Sequence, residues 1–546
     1  MKKIYLTLAI AALAFQANAQ AFWTYTTYQG AFPITDGTTG VTSNDWTAGW
    51  TNFNPQAVNY PATTVTVSSD ITTNTTWTTG TVVRLENKVY VKSGATLTIQ
   101  PGVIIRGDLA TQGTLIITKG SKIMASGTQT NPIIFTSNEP VGFRAEGDWG
   151  GLVILGYALN NQPGGVANIE GIAASADTEF GGSNDADNSG MLQFVRIEFS
   201  GIALAPNKEI NGLTMGSVGS GTTIDHIQVS HCGDDAFEWF GGTVDAKYLV
   251  AFRSLDDDFD CDFGFSGRIQ FALSIKDKDL SDAPGDSNGF ECDNDATGSN
   301  ALPRTRPVFS NVTLIGPKGD GSIALPVGEK FEKSFRLRRN SAVSIHNSLS
   351  TGWEKGLSIE GSATEDNYTG DTAYFKNNIL TNYTLNTAKV TATEAFYNTF
   401  FNSDGNDTVT TIAAINWVNA FPATLETTGD FRLNVATTAT GASFTGPNFT
   451  GGFLGIEDPT TMEITNLIVY PNPANNNLTV KFNVENSANV NISVVDLTGK
   501  VIFNSSNNRF AGINAEEINV SSFVNGVYFV KLTTGDYTST VKFVKN

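Results

Sequence analysis

Between Val89 and Phe135 apolar and polar side chains alternate with a period of two. In VYVKSGATLTIQPGVIIRG the apolar set is Val89, Val91, Ala95, Leu97, Ile99, Val103 and Ile105; in the next stretch it is Leu115, Ile117, Ile123, Ala125, Ile133 and Phe135. Such a period puts one set of side chains on one face of an extended strand. Ser93-Gly94, Pro101-Gly102 and Lys119-Gly120 break the runs at turn-forming pairs. The pattern predicts short β-strands, and no stretch of comparable length carries helical periodicity.

Further along, the pattern repeats. FEW (Phe237–Trp239), FDCD (Phe259–Asp262), FECD (Phe290–Asp293), FRLR (Phe335–Arg338) and LSIE (Leu357–Glu360) share an apolar first and third position, at spacings of 22, 31, 45 and 22 residues. Matching runs precede them, among them LQFVRIEFSG from Leu192, TIDHIQVSHCG from Thr223 and RIQFALSIKD from Arg268. A unit of about 22 residues holding two or three short strands predicts a parallel β-helix solenoid whose longer spacings are surface loops. Loops are expected between Lys276 and Asn288 and between Gly316 and Ser334.

Composition supports a turn-rich β protein: of 546 residues 54 are glycine and only 16% are charged, against roughly 25% in typical soluble proteins. A net charge of -19 argues against nucleic acid and anionic membrane as partners. Lys2 and Lys3, the apolar run Ile4–Phe15, and Ala17 and Ala19 read as a signal peptide over 1–19, so the protein is expected to be exported. No cysteine follows that run to carry a lipid, and no transmembrane segment is expected. Only Cys232, Cys261 and Cys292 are present, unlike a disulfide framework.

Two resemblances then become visible. SGATLTIQPGVIIRG, GDWGGLVILG and FGGTVDAKYLV, within a region from about Val89 to Leu454, resemble the right-handed parallel β-helix proteins of the pectate-lyase-like class. That resemblance implies an architecture and leaves the activity open. In the tail, Tyr470-Pro471-Asn472-Pro473, the turn Asp496–Lys500, Gly526-Val527-Tyr528 and the basic end at Lys542 and Lys545 resemble the C-terminal sorting domain of the type IX secretion system of Bacteroidetes-type bacteria. This implies recognition by the type IX machinery, passage through the outer membrane, removal of the tail, and display on the cell surface or release.

The expected fold is therefore all-β: a right-handed parallel β-helix followed by a small immunoglobulin-like β-sandwich of about seven strands. The expected boundaries are a signal peptide at 1–19, a Thr-rich cap at 20–81 covering the first open coil, the β-helix at 82–455, a linker at 456–465 and the sorting domain at 466–546.

Alternation divides the repeated strands into two chemistries. Phe237, Trp239, Phe259, Cys261, Phe290, Cys292, Phe335, Leu337, Leu357 and Ile359 point inward, which makes Trp239 core and predicts a buried thiol ladder of Cys261 and Cys292. Glu238, Asp260, Glu291, Arg336 and Ser358 form one outward column, and Asp262, Asp293, Arg338 and Glu360 the next. Stacked carboxylates about 4.8 Å apart repel by roughly 1–3.5 kcal/mol per pair before screening. Oxygen-only ligands in a chain with three histidines point to Ca²⁺, with Glu238, Asp260, Asp262, Glu291 and Asp293 as candidates. Neutralisation by Arg336 and Arg338, or solvation of splayed side chains, are the alternatives.

Upstream of these strands Asp256, Asp257 and Asp258 align with Asp234, Asp235 and Ala236, where aspartates commonly bond their own turn backbone; the alternative is that the paired aspartates of two coils extend the cation site. Two enzyme readings use these groups. Glu291, Asp293, Arg336 and Arg338 resemble the carboxylate, calcium and arginine set of calcium-dependent polysaccharide lyases of this fold. TIDHIQVSHCGDDAF resembles the paired-aspartate stretch of polygalacturonase-type hydrolases, with Asp234 and Asp235 as acid and base, but that family's GHG and RIK elements are missing. The preferred expectation is a secreted, cell-surface module that binds glycan or another surface, with a calcium-dependent polysaccharide lyase or glycoside hydrolase as the alternative.

Overall fold

In the computed structural model the described residues are 22–35, 45–205, 208–282, 286–381, 404–407, 411–422, 424–426, 429–434, 437, 439–444, 464–484, 488–496, 500–509, 512–534 and 537–546. The expected signal peptide at 1–19 and the linker residues 456–463 lie outside them. The chain divides into a unit ending at Gly451 and a unit beginning at Gly452.

The period-two segments of the first unit pair coil upon coil into parallel sheets, which gives the right-handed β-helix. One sheet contains Lys88–Val91, Thr114–Ile117, Leu152–Leu155, β1 (Leu213–Val218), β2 (Phe237–Gly242), β3 (Phe259–Asp262), β4 (Phe290–Cys292), β5 (Lys333–Leu337) and β6 (Lys355–Ile359), in that order. The repeat predicts the register: Phe237 lies beside Phe259, Phe259 beside Phe290, and Phe335 beside Leu357. Inside, the rings of Phe237, Phe259, Phe290 and Phe335 follow one another at 5.7, 5.0 and 5.2 Å, and Trp239, Cys261 and Cys292 are fully buried. Every cysteine is a free, buried thiol. This stack is the core, since burying each aromatic side chain favours folding by about 1.5–3 kcal/mol.

The remaining faces of the coil form a second parallel sheet. Its middle strands, such as Gly190–Glu198, Thr223–Ser230, Ala246–Phe252 and Arg268–Ile275, run through a corner without a break. The corner is a single residue in the left-handed region: Phe194 (φ 49°), His226 (56°), Tyr248 (60°) and Phe271 (64°). Side chains at this corner stack on the outside, His226 lying 4.3 Å from both Phe194 and Tyr248.

The N-terminal region departs from the expected cap at 20–81. Val65–Val67 and Thr75–Trp77 already belong to the solenoid, pairing in parallel with Val82–Leu85 and Thr96–Ile99. Residues before them lie along the side of the later coils: Thr24 N donates to Gln270 (2.7 Å), Ala31 N to Thr313 (2.9 Å) and Asn52 N to Gln228 (2.8 Å). Phe32, Trp50 and Phe53 pack there on Val250, Phe252, Leu273 and Phe431. The physical reason is that this sheet carries apolar side chains on its outer face as well as its inner one, and a segment rich in aromatics buries them.

The second unit is a sandwich of two antiparallel sheets. Ile464–Tyr470, Asn477–Val484 and Gly512–Asn519 form one; Val501–Arg509, Ala488–Asp496, Gly526–Thr534 and Tyr537–Lys545 form the other. Leu478, Val480, Phe482, Ile492, Val494, Val530, Leu532 and Phe543 fill the space between them.

Candidate acidic site

On the outer face of β2 to β5 the register places Glu238 beside Asp260, Asp260 beside Glu291, and Glu291 beside Arg336. This is the predicted column. It is not a solvated one: Glu238 is 6% exposed and receives a hydrogen bond from Asn211 Nδ2, while Asp260 and Glu291 are half-buried. Cover comes from the long excursions between earlier strands, which pack Ile169, Phe180 and Ile210 onto Phe240 of β2.

The turns before the strands bring more carboxylates to the same place. One oxygen from each of Asp234, Asp235 and Asp256 lies within 4.8 Å of the others; the same holds for Asp235, Glu238 and Asp260, and for Asp257, Asp260 and Glu291. Asp235 and Asp260 are shared between sets, so the groups merge into one acidic ledge over β2 to β4. Of the predicted cation ligands, Glu238, Asp260 and Glu291 meet here. Asp262 and Asp293 do not join these groups: Asp262 accepts from Phe263 N (2.6 Å), and Asp293 is held by Arg338 Nε (2.8 Å) and Arg339 Nη1 (2.6 Å).

Two aspartates of the turns have structural work as well. Asp235 Oδ1 accepts from Asp257 N (2.8 Å), Asp257 Oδ1 from Asn288 N (2.5 Å), and Asn288 Oδ1 from Lys333 N (3.2 Å). These side chains tie each coil to the next in place of a backbone acceptor. Asp258 has a separate role. It is fully buried, 3.3 Å from an equally buried Lys276 Nζ, and accepts from Ser254 Oγ (2.6 Å). Its alignment with Ala236 carried no sign of this, because the partner lies in the next coil.

Electrostatics follow from burial without matching positive charge. Burial first, and adjacent carboxylates second, push Asp235, Glu238, Asp257 and Asp260 well above the usual carboxylate range. Burial together with Asp234 raises Asp256 to about 8. Positive charge sits at two places: the buried Lys276 donates to Asp256 O and partly offsets the rise of Asp256 and Asp257, and beyond β4 Arg336 Nη1 meets Glu291 at 2.9 Å while Arg338 bridges Glu291 and Asp293. Burial works to deprotonate Arg338, but the hydrogen bond to Asp293 and the charge of Glu291 outweigh it and raise its pKa.

The comparisons agree with the fold. A family model described as a pectate-lyase like β-helix domain matches residues 69–421, more than half of the chain. The chain belongs to that family. A second model, the secretion system C-terminal sorting domain, matches residues 468–546, so the β-helix carries a type IX sorting tail and is exported to the cell surface or beyond. No curated protein matches the sequence.

In this β-helix, reading outward positions found the column Glu238, Asp260 and Glu291. Asp256 and Asp257, expected as turn residues and as an extension of the cation site from aligned aspartate pairs, do fall in the merged groups that hold the column. That expectation rests on the aligned pairs, since alternation is a property of a strand and says nothing about the turn that precedes it.

Proposed function

We propose that the β-helix is a surface-displayed module that binds Ca²⁺ on the ledge of Asp234, Asp235, Glu238, Asp256, Asp257, Asp260 and Glu291 and engages a glycan through it. The merging of three carboxylate groups over consecutive coils carries this reading. Ionised together they repel strongly in a half-buried setting, and a hard cation with six to eight oxygen ligands relieves that repulsion. Arg336 and Arg338 at one end supply donors for acidic groups of the bound chain.

Binding is favoured over lyase chemistry by the state of Arg338. A general base takes a proton from its substrate and so must be unprotonated beforehand, whereas this guanidinium is held protonated by two carboxylates. The hydrolase reading is weakened by Asp235, whose Oδ1 is committed to the neighbouring coil.

Thermal melts with calcium and with chelator test the cation. Calcium stabilises the wild type by mass action, and Asp260→Asn loses most of that gain. Equal melting temperatures in both conditions overturn the reading. A polysaccharide panel scored for retention and for unsaturated or reducing-end products separates binding from cleavage.

A further inference from the structure

Away from the ledge, consecutive coils end on another column of left-handed residues, Phe199 (φ 61°), His231 (53°) and Arg253 (59°). Their amides follow one another up the solenoid, Phe199 N donating to Ser230 O, His231 N to Phe252 O and Arg253 N to Ile275 O. Above the last two lies a cavity of about 430 Å³. Its walls include His231, Glu146 and Arg253 from the β-helix, Phe53 and Gln56 from the N-terminal segment, and Glu426.

The walls are built rather than incidental. Arg144, 4% exposed, gives its Nη1 to Pro55 O (2.9 Å) and Val58 O (3.0 Å) and lies 4.9 Å from the ring of Tyr60, pinning the segment that carries Phe53 and Gln56. His231 stacks on Phe199 at 5.0 Å, and its Nδ1 is held by Glu146 at 2.9 Å. Its Nε2 has no partner among the described residues. Arg253 spans Asp277 (2.5 Å) and Glu426 (2.9 Å). A second cavity, of about 600 Å³, shares Phe53, Arg253 and Glu426 and adds Phe421 and Phe431. The two are therefore neighbours in one cleft.

The chemistry of these walls selects among ligands. Over the two cavities the carboxylates Glu146, Glu426, Asp277, Asp279 and Asp320 outnumber the cations Arg144, Arg253, Lys276 and Lys278 by one, so the cleft offers an anion no net attraction. It offers instead acceptors (Glu146, Glu426) and donors (Arg253, the imidazole) beside an apolar wall at the largely buried Phe53. A hydroxyl both donates and accepts, and a sugar ring also presents an apolar C–H face. We infer that this cleft is a binding site for a neutral, polyhydroxylated ligand, a hexose or pentose unit, independent of the acidic ledge and of calcium.

Saturation-transfer NMR on the full chain in chelator tests this, with D-glucose, D-galactose, D-mannose and D-xylose as probes and sodium glucuronate as the charged comparison. At least one neutral sugar receives saturation and outcompetes glucuronate. Glu426→Ala, at a side chain that is 46% exposed and so tolerant of change, and His231→Asn each weaken it by about tenfold, the worth of one charged hydrogen bond. Asp260→Asn leaves it unchanged. The inference is overturned if none of the four sugars binds, if glucuronate binds more tightly, or if Glu426→Ala binds as wild type does. Glu426→Ala decides the matter should His231→Asn fail to fold.

Discussion

Asp256→Asn gives the most direct measure of the ledge. In the folded chain burial and Asp234 raise Asp256 from 3.8 to about 8. A carboxylate raised in this way stays protonated in the folded state while the unfolded chain ionises. Its contribution is neutral below the unfolded value, becomes destabilising as pH rises above about 4, and keeps growing until the folded value is reached. Each pH unit inside that window costs about 1.4 kcal/mol.

Asparagine does not titrate, so the stability of Asp256→Asn relative to wild type rises by roughly 3 kcal/mol between about pH 5 and pH 7 in chelator. Taking the difference between the two proteins matters. His346, fully buried, is pushed down to about 3 by burial and by Lys376, and it destabilises both proteins as pH falls below its ordinary 6.5. Glu332, lowered to about 2 despite its burial by hydrogen bonds from Lys333 and Lys355, loses its contribution only below its ordinary 4.5. Both effects cancel in the difference.

The assay is denaturant unfolding followed by circular dichroism across that range, with calcium added in a parallel series. Calcium flattens the pH dependence of the wild type, because the cation replaces the proton on the ledge. A stability difference that does not change with pH in chelator would refute the account of the ledge as a set of carboxylates kept neutral by burial and mutual repulsion.

Other outcomes follow from particular contacts. Phe259→Asp inserts a carboxylate between the rings of Phe237 and Phe290 and destabilises the whole solenoid by several kcal/mol, read as loss of the cooperative melt. Lys276→Met strands the fully buried Asp258 and costs about 3–5 kcal/mol in the same measurement; Lys276→Met/Asp258→Leu recovers much of it. Removing residues 466–546 leaves the β-helix folded but retained in the periplasm, and cell fractionation that finds the shortened chain at the surface would show that the tail is not its export signal.

The β-helix was legible because its repeat is local. Phe259 and Cys261 are inward and Asp260 outward by the alternation of an extended chain, and matching FDCD to FECD sets the register that pairs Asp260 with Glu291. The tail was legible for the same reason, its strands being short, adjacent in sequence and joined by turns. Tertiary structure alone decided what surrounds each outward residue. Glu238 is buried because excursions carrying Phe180, Ile210 and Asn211 return over β2. Asp258 meets Lys276 one coil away, and the described residues 22–35 and 45–60 lie on the side of later coils instead of capping the first. Covalent geometry dictates which way a side chain points within its strand; burial and charge depend on which distant segment comes to lie above it, and that is settled only when the coils stack.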